Sequence, residues 1–162
     1  MVDISESPGT LRSEPYPAIA NGADVPVLVR LMTEDDLPWL KDLCLRRYSH
    51  RYEPESTENW FRQLVLKNPL LFLAIRTDNA FSISLISCLP WLPSEFEVNV
   101  IFLCAEHGEM WQALKLCRYS IDWARRRKCH VWRLASETGY DLSMISKRLG
   151  CKELTARYSL RL

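Results

Sequence analysis

Apolar and polar residues alternate without a break from Glu95 to Cys104, placing Phe96, Val98, Val100, Phe102 and Cys104 on one face. A period of two predicts a strand with one buried side. The next residues, Ala105-Glu106-His107-Gly108-Glu109, make a short loop. Beyond it the period lengthens to that of a helix, with Met110, Leu114, Cys117, Ile121 and Ala124 as the core stripe. A strand, loop and helix in this order present free backbone N–H groups at the helix N-terminus, where an anion is favoured.

The same reading extends over the rest of the chain. Pro26 to Met32 is a first strand, and Thr33-Glu34-Asp35-Asp36 places acids where a helix dipole welcomes them. Pro38 predicts that this helix begins late, with Asp36 as its cap and Leu37, Leu40, Cys44 and Tyr48 inward, running to about His50. A second helix is expected from a Ser56 or Thr57 cap to Lys67, with Trp60, Phe61, Leu64 and Val65 inward and a stop at Asn68-Pro69. Leu70 to Arg76 and Ala80 to Cys88 form a hairpin across Thr77-Asp78-Asn79. After the long helix come a strand at Cys129 to Ala135, a helix from an Asp141 cap to Leu149 ended by Gly150, and a last strand at Ala156 to Leu162.

The order is thus β-α-α-β-β-β-α-β-α-β, a mixed sheet with helices on both faces, in the α/β (α+β) class. The length of 162 residues suits one domain with a substantial core and is too short for two. Residues 26–162 are read as that domain. Residues 1–25 are read as an extended arm, since Pro8, Pro15 and Pro17 forbid helix and apolar residues are sparse. Such an arm, where ordered, is held by its own domain or by a neighbouring subunit, which points to a homo-oligomer or an assembly partner.

A net charge of +1 gives no global pull toward nucleic acid or a membrane surface. No segment approaches the roughly 18 apolar residues of a spanning helix. The polar N-terminus lacks a charged-then-apolar leader, so the expected location is cytoplasmic. The six cysteines are scattered and never form C-x-x-C, and the three histidines are not at ligand spacing, so no metal is expected. Arg125-Arg126-Arg127-Lys128, and the cluster of Arg46, Arg47, His50 and Arg51, sit at helix C-termini, where the dipole favours cations. Trp91, on a proline-flanked loop, is expected beside a site or an interface.

Three pieces of the chain resemble the GNAT superfamily of N-acetyltransferases, over nearly all of Pro26 to Leu162. V-R-L-M-T-E-D-D-L is similar to the family's first strand and capped helix. The strand, loop and long helix from Glu95 are similar to its acetyl-CoA motif. Ser146-Lys147-Arg148-Leu149-Gly150-Cys151 resembles the family's Y-x-x-L-G-F ending. The resemblance implies an acetyl-CoA-dependent transfer to a small-molecule or peptide amine, with the thioester between the splayed central and fifth strands. It also implies cofactor contacts from Val100, Phe102, Cys104, His107, Gly108, Glu109, Met110, Trp111 and Gln112. Many relatives use a central-strand carboxylate to take the amine proton, and Glu97 holds that place; Glu95 shares the role or repels its neighbour. Glu97 also reads as a plain acid on an exposed strand face.

The chain departs from the family in two places. The family's loop reads about R/Q-x-x-G-x-G/A; laid on this chain, the arginine is His107, the first glycine Met110 and the last small residue Gln112. Glu109 adds a negative charge near a phosphate, a contact costing ~4 kcal/mol at ~4 Å and an effective dielectric of ~20 before solvent relieves it. The family's leaving-group tyrosine falls at Ser146, a poorer acid, with Tyr140 as a substitute or as packing for the helix entrance. These departures resemble degenerate phage-type members, some of them virion proteins. On that alternative the chain is a catalytically reduced binding or assembly module.

Overall fold

The computed structural model describes residues 27–48, 52–89, 92–134 and 142–152. Five strands form one sheet in sequence order: β1 (Arg30–Leu31), β2 (Phe72–Arg76), β3 (Ala80–Leu89), β4 (Leu92–Ala105) and β5 (Val131–Leu134). Neighbours are antiparallel except β4 and β5, which run parallel across the long helix α3 (Met110–Arg126). Parallel neighbours require such a crossover. Before β2 come α1 (Leu37–Tyr48) and α2 (Pro54–Trp60), and after β5 comes α4 (Ser143–Leu149). The arm, His50, Trp91, Tyr140, Asp141 and the strand expected at Ala156 to Leu162 lie outside the described residues. Among the described residues no helix is long and apolar enough to cross a membrane.

The period of two in β2 and β3 sorts side chains onto two cores. Phe72, Ala74, Phe81 and Ile83 pack with Leu37, Leu40, Leu43, Cys44, Phe61 and Val65 under α1 and α2. Leu73, Ile75 and Ala80 pack on the other side with Leu116, Trp123 and Ala124 of α3. Each of the largest of these side chains contributes about 1.5–3 kcal/mol by leaving water. Helices therefore cover both faces, as the sequence pattern requires.

β4 breaks the expected alternation. Val98 lies in the α3 core, whereas Cys104 lies in the core under α1, with Phe102 packed against it. The reason is a bulge: Ser84 pairs with Val100 and Ile83 with Phe102, so Ile101 has no opposite number on β3. One extra residue transfers every later side chain to the other face. Phe102 stacks on Phe81 at 5.2 Å and meets Tyr48 edge-on at 5.8 Å.

The helices differ from expectation at their ends. α2 starts at Pro54, at the first helical position, where its missing N–H is no loss. It runs into a wider turn over Phe61–Val65, in which Leu66 N–H donates to the Phe61 carbonyl, an i to i+5 bond. That wider turn leaves Leu64 exposed rather than inward, while Phe61 and Val65 stay buried. Met110 is likewise exposed; the buried stripe of α3 runs through Ala113, Leu114, Leu116, Cys117, Ser120, Trp123 and Ala124. Gly150 ends α4 in the left-handed region at φ 69°, as expected of a glycine stop.

Candidate functional site

The two strands pair from Glu97 with Val131 to Val100 with Leu134, the last described residue of β5, and the next residue of β4 is the bulged Ile101. From Phe102 to Ala105, β4 keeps β3 as its partner. A bulge bends and twists the strand that carries it. The bend has its apex at Val100 and Ile101, and from there β4 runs on toward the loop that opens α3.

The residues expected around an opening between β4 and β5 divide. Val100 is buried at the bend, on the face of Ser84, whose Oγ meets Ser120 Oγ of α3 at 2.9 Å. Beyond it the bulge sends the side chains of Phe102 and Cys104 into the α1 core. Burial pushes the Cys104 thiol up to about 11 and that of Cys117 up to about 12, so neither is a thiolate at neutral pH.

The loop between β4 and α3 is tied down from outside. Glu106 N–H donates to the Asn79 carbonyl at 2.8 Å, Glu109 N–H to the Glu106 carbonyl at 3.1 Å, and Arg46 of α1 takes the Glu106 carboxylate. Gly108 has φ +84°, and a Cβ there would meet nothing within 4 Å, so the backbone conformation rather than space calls for glycine. Gln112, at the position of the family's last small residue, is buried and turned inward. Its Oε1 accepts Asn79 N–H at 3.2 Å and its Nε2 donates to Glu109 Oε2 at 2.8 Å. The bulky side chain thus leaves the helix mouth and draws the Glu109 carboxylate with it.

Outside, the mouth is open. Among the described residues the N–H groups of His107, Gly108, Met110 and Trp111 meet no acceptor. N–H groups without acceptors at the positive end of a long helix suit an anion such as a pyrophosphate. Beside them a cleft of about 220 Å³ runs between α3 and α4, lined by Gly108, Met110, Trp111, Leu114, Met144, Ile145 and Arg148. Arg148 is the one charged residue of this mostly apolar lining. Ser146 is half-buried in α4 and does not line the cleft.

A polar cluster lies on the opposite face of the sheet, just below the apex. Glu97 Oε1 accepts Asn99 Nδ2 at 2.9 Å and Ser87 Oγ at 3.4 Å, and Glu97 Oε2 accepts Arg133 Nε at 2.6 Å. Burial alone would raise the Glu97 carboxyl, but the bonds from Asn99 and Arg133 outweigh it and hold the group below its ordinary 4.5. Glu97 is therefore a buried, ionised carboxylate rather than an exposed strand acid. Arg133, Asn99 and Ser87 carry less signal in the sequence. Arg133 is the one charge within the V-W-R-L strand, opposite in sign to Glu97 across the helix.

The same architecture occurs in solved structures. One is a transcriptional regulator from Bacillus halodurans C-125, with TM-score 0.71 and 17% identity over 84% of this chain and 99% of that one. A Trypanosoma brucei acetyltransferase gives 0.66 at 11%, over 84% and 99%. The ribosomal-protein-alanine N-acetyltransferase of Brucella melitensis biovar Abortus 2308 gives 0.64 at 16%, over 83% and 99%. The chain has the GNAT acetyltransferase fold. No protein-family model and no curated protein matches its sequence.

Proposed function

We propose that the chain is an N-acyltransferase that takes acetyl-CoA at the N-terminal mouth of α3 and an amine acceptor from the Glu97 side. The observation that supports this reading is the succession of three features along β4 and into α3: an ionised carboxylate at Glu97, a bulge at Ile101, and amides without acceptors among the described residues at the α3 N-terminus.

The residues fit the cofactor in spite of the changed loop. The amides of His107, Gly108, Met110 and Trp111 would hold the pyrophosphate, Arg148 would add charge, and the cleft walls would take the apolar arm. Gln112 does not obstruct this, because its side chain is engaged with Asn79 and Glu109. Bound acetyl-CoA supplies a thioester carbonyl to an attacking amine. Were β4 and β5 to part beyond Val100, the edge from Ile101 onward would offer backbone N–H groups to orient that carbonyl. Glu97 stays anionic through the neutral range and accepts an N–H from the amine, directly or through water. Its lowered pKa makes it an orienting acceptor and a weak base, so the acceptor must arrive largely as free amine.

A second reading keeps the cofactor and removes the turnover, leaving a binding or assembly module. Ser146 in place of the family's tyrosine favours it, since a serine hydroxyl is a poor acid for the leaving thiolate.

Thermal unfolding with acetyl-CoA tests both readings. At 100 times the dissociation constant the native state gains about 2.7 kcal/mol. No shift at millimolar cofactor removes the acyltransferase reading and leaves only an assembly module without cofactor. A shift without thiol release across a panel of amines selects the second.

A further inference from the structure

We infer that the acceptor is a small zwitterion, an amine with a carboxylate one or two carbons away, as in an α-amino acid. The inference rests on the acyltransferase reading and names the substrate class of that same site. It stands on the juxtaposition of Glu97 and Arg133. Asn99 and Arg133 are register partners immediately before the last described pair, Val100 with Leu134. An acceptor that approaches the bend of β4 from this face meets them.

Arg133 commits only its Nε to Glu97. Among the described residues Nη1 and Nη2 have no partner, and the side chain is 30% exposed. A guanidinium with its fork free matches a carboxylate in bidentate fashion. Asn99 spends its Nδ2 on Ser87 and Glu97, which leaves Oδ1 as an acceptor beside the anionic Glu97. The cluster thus offers adjacent acceptors for an ammonium or amine and adjacent donors for an anion. Glu97 Oε2 and Arg133 Nε are 2.6 Å apart, so the charges that they recognise must be equally close on the ligand. A simple alkylamine, a polyamine or an extended lysine side chain brings a cation with no near anion, and it faces Arg133 without compensation.

Two matched pairs supply the test: phenylalanine against phenethylamine, and leucine against isoamylamine. Each is assayed for thiol release from acetyl-CoA and corrected for the fraction of free amine. The wild type is expected to prefer the amino acid in kcat/KM by about 10- to 100-fold, the range of one charge-assisted contact. Arg133→Gln is expected to bring that ratio toward one, through a rise in KM for the amino acid that exceeds any change for the plain amine, and Arg133→Lys to retain part of it. A wild-type ratio at or below one overturns the inference, as does a ratio unmoved by Arg133→Gln. So does transfer to other amines but to none of these four. Absence of transfer to any amine, or of acetyl-CoA binding, instead sinks the acyltransferase reading beneath it.

Discussion

Arg133 Nε donates to Glu97 Oε2 at 2.6 Å, joining residues that are 36 positions apart. The parallel register of β4 and β5 makes this contact possible, because Arg133 stands opposite Asn99 and two residues beyond the partner of Glu97. Substituting Glu97→Gln leaves a neutral acceptor beside a half-buried guanidinium. The expected cost is about 1–2 kcal/mol of stability, modest because Arg133 is partly solvated. If Glu97 serves the amine, kcat falls about 100-fold while the acetyl-CoA thermal shift is unchanged. An unaffected rate would clear Glu97 of that role.

Acid stability follows from the same carboxylate and from Asp36. Burial raises both, but Asn99 and Arg133 at Glu97, and Arg30 and the Thr33 N–H at Asp36, hold each below its ordinary 4.5 and 3.8. A depressed folded-state pKa means that the unfolded chain takes up the proton first on acidification. Their contribution is therefore fully present above those ordinary values and is lost as pH falls through the lower folded ones. Urea midpoints from pH 6 to pH 2 should be flat and then drop, with the drop reduced in Glu97→Gln and in Asp36→Asn. An identical profile in the variants would exclude these groups.

Asp36 carries the larger structural load. It is 4% exposed and accepts from Arg30 Nη1 at 2.8 Å, Arg76 Nη1 at 2.9 Å and Thr33 N–H at 2.9 Å, which ties the start of α1 to β1 and β2. Arg76 is also stacked over Trp39 at 3.4 Å. Asp36→Asn removes the buried charge that faces Arg30 and Arg76, both of which keep backbone carbonyl acceptors, and should cost about 1–3 kcal/mol. Thermal melts read this directly. Acetyl-CoA affinity, measured where the variant is folded, should not change.

The site was legible in sequence to the extent that it depends on local pattern. The strand, loop and helix from Glu95, the hairpin turn at Thr77–Asn79 and the glycine stop at Gly150 all follow from period and turn chemistry. The acids at the helix entrance were readable, but the cap is Thr33 rather than the expected Asp36, which stands three residues inside and accepts the Thr33 N–H. The bulge at Ile101 was not readable, since it is a property of pairing with β3 and no glycine marks it. Arg133 stayed hidden for a similar reason: its contact with Glu97 needs the register of two strands separated by α3. The inward turn of Gln112 depends on an N–H that Asn79 offers from another hairpin.

Gln112 should prove a positioning residue for the loop. Gln112→Ala removes the bridge between Asn79 N–H and Glu109 and releases the Glu109 carboxylate toward the helix mouth. The variant is expected to lose about 1 kcal/mol of stability. Acetyl-CoA affinity should fall about tenfold, and raised salt should recover part of it by screening Glu109. A salt-independent loss would assign the effect to loop disorder alone.

Deletion of Ile101 tests what the bulge does. Without it β4 can pair evenly with β3, Val100 opposite Ser84 and Phe102 opposite Ile83, and simple alternation leaves Val98 and Val100 on the α3 side and Phe102 and Cys104 on the α1 side. No core side chain has to change face. The expected change in stability is therefore less than about 1 kcal/mol, as for Ile101→Ala, which keeps the extra residue and removes only a side chain that is 42% exposed. Equilibrium unfolding of the two variants side by side separates backbone from side chain. A loss confined to the deletion and as large as a core truncation, about 2–5 kcal/mol, would show that the bulged backbone itself is needed to seat Phe102 on Phe81.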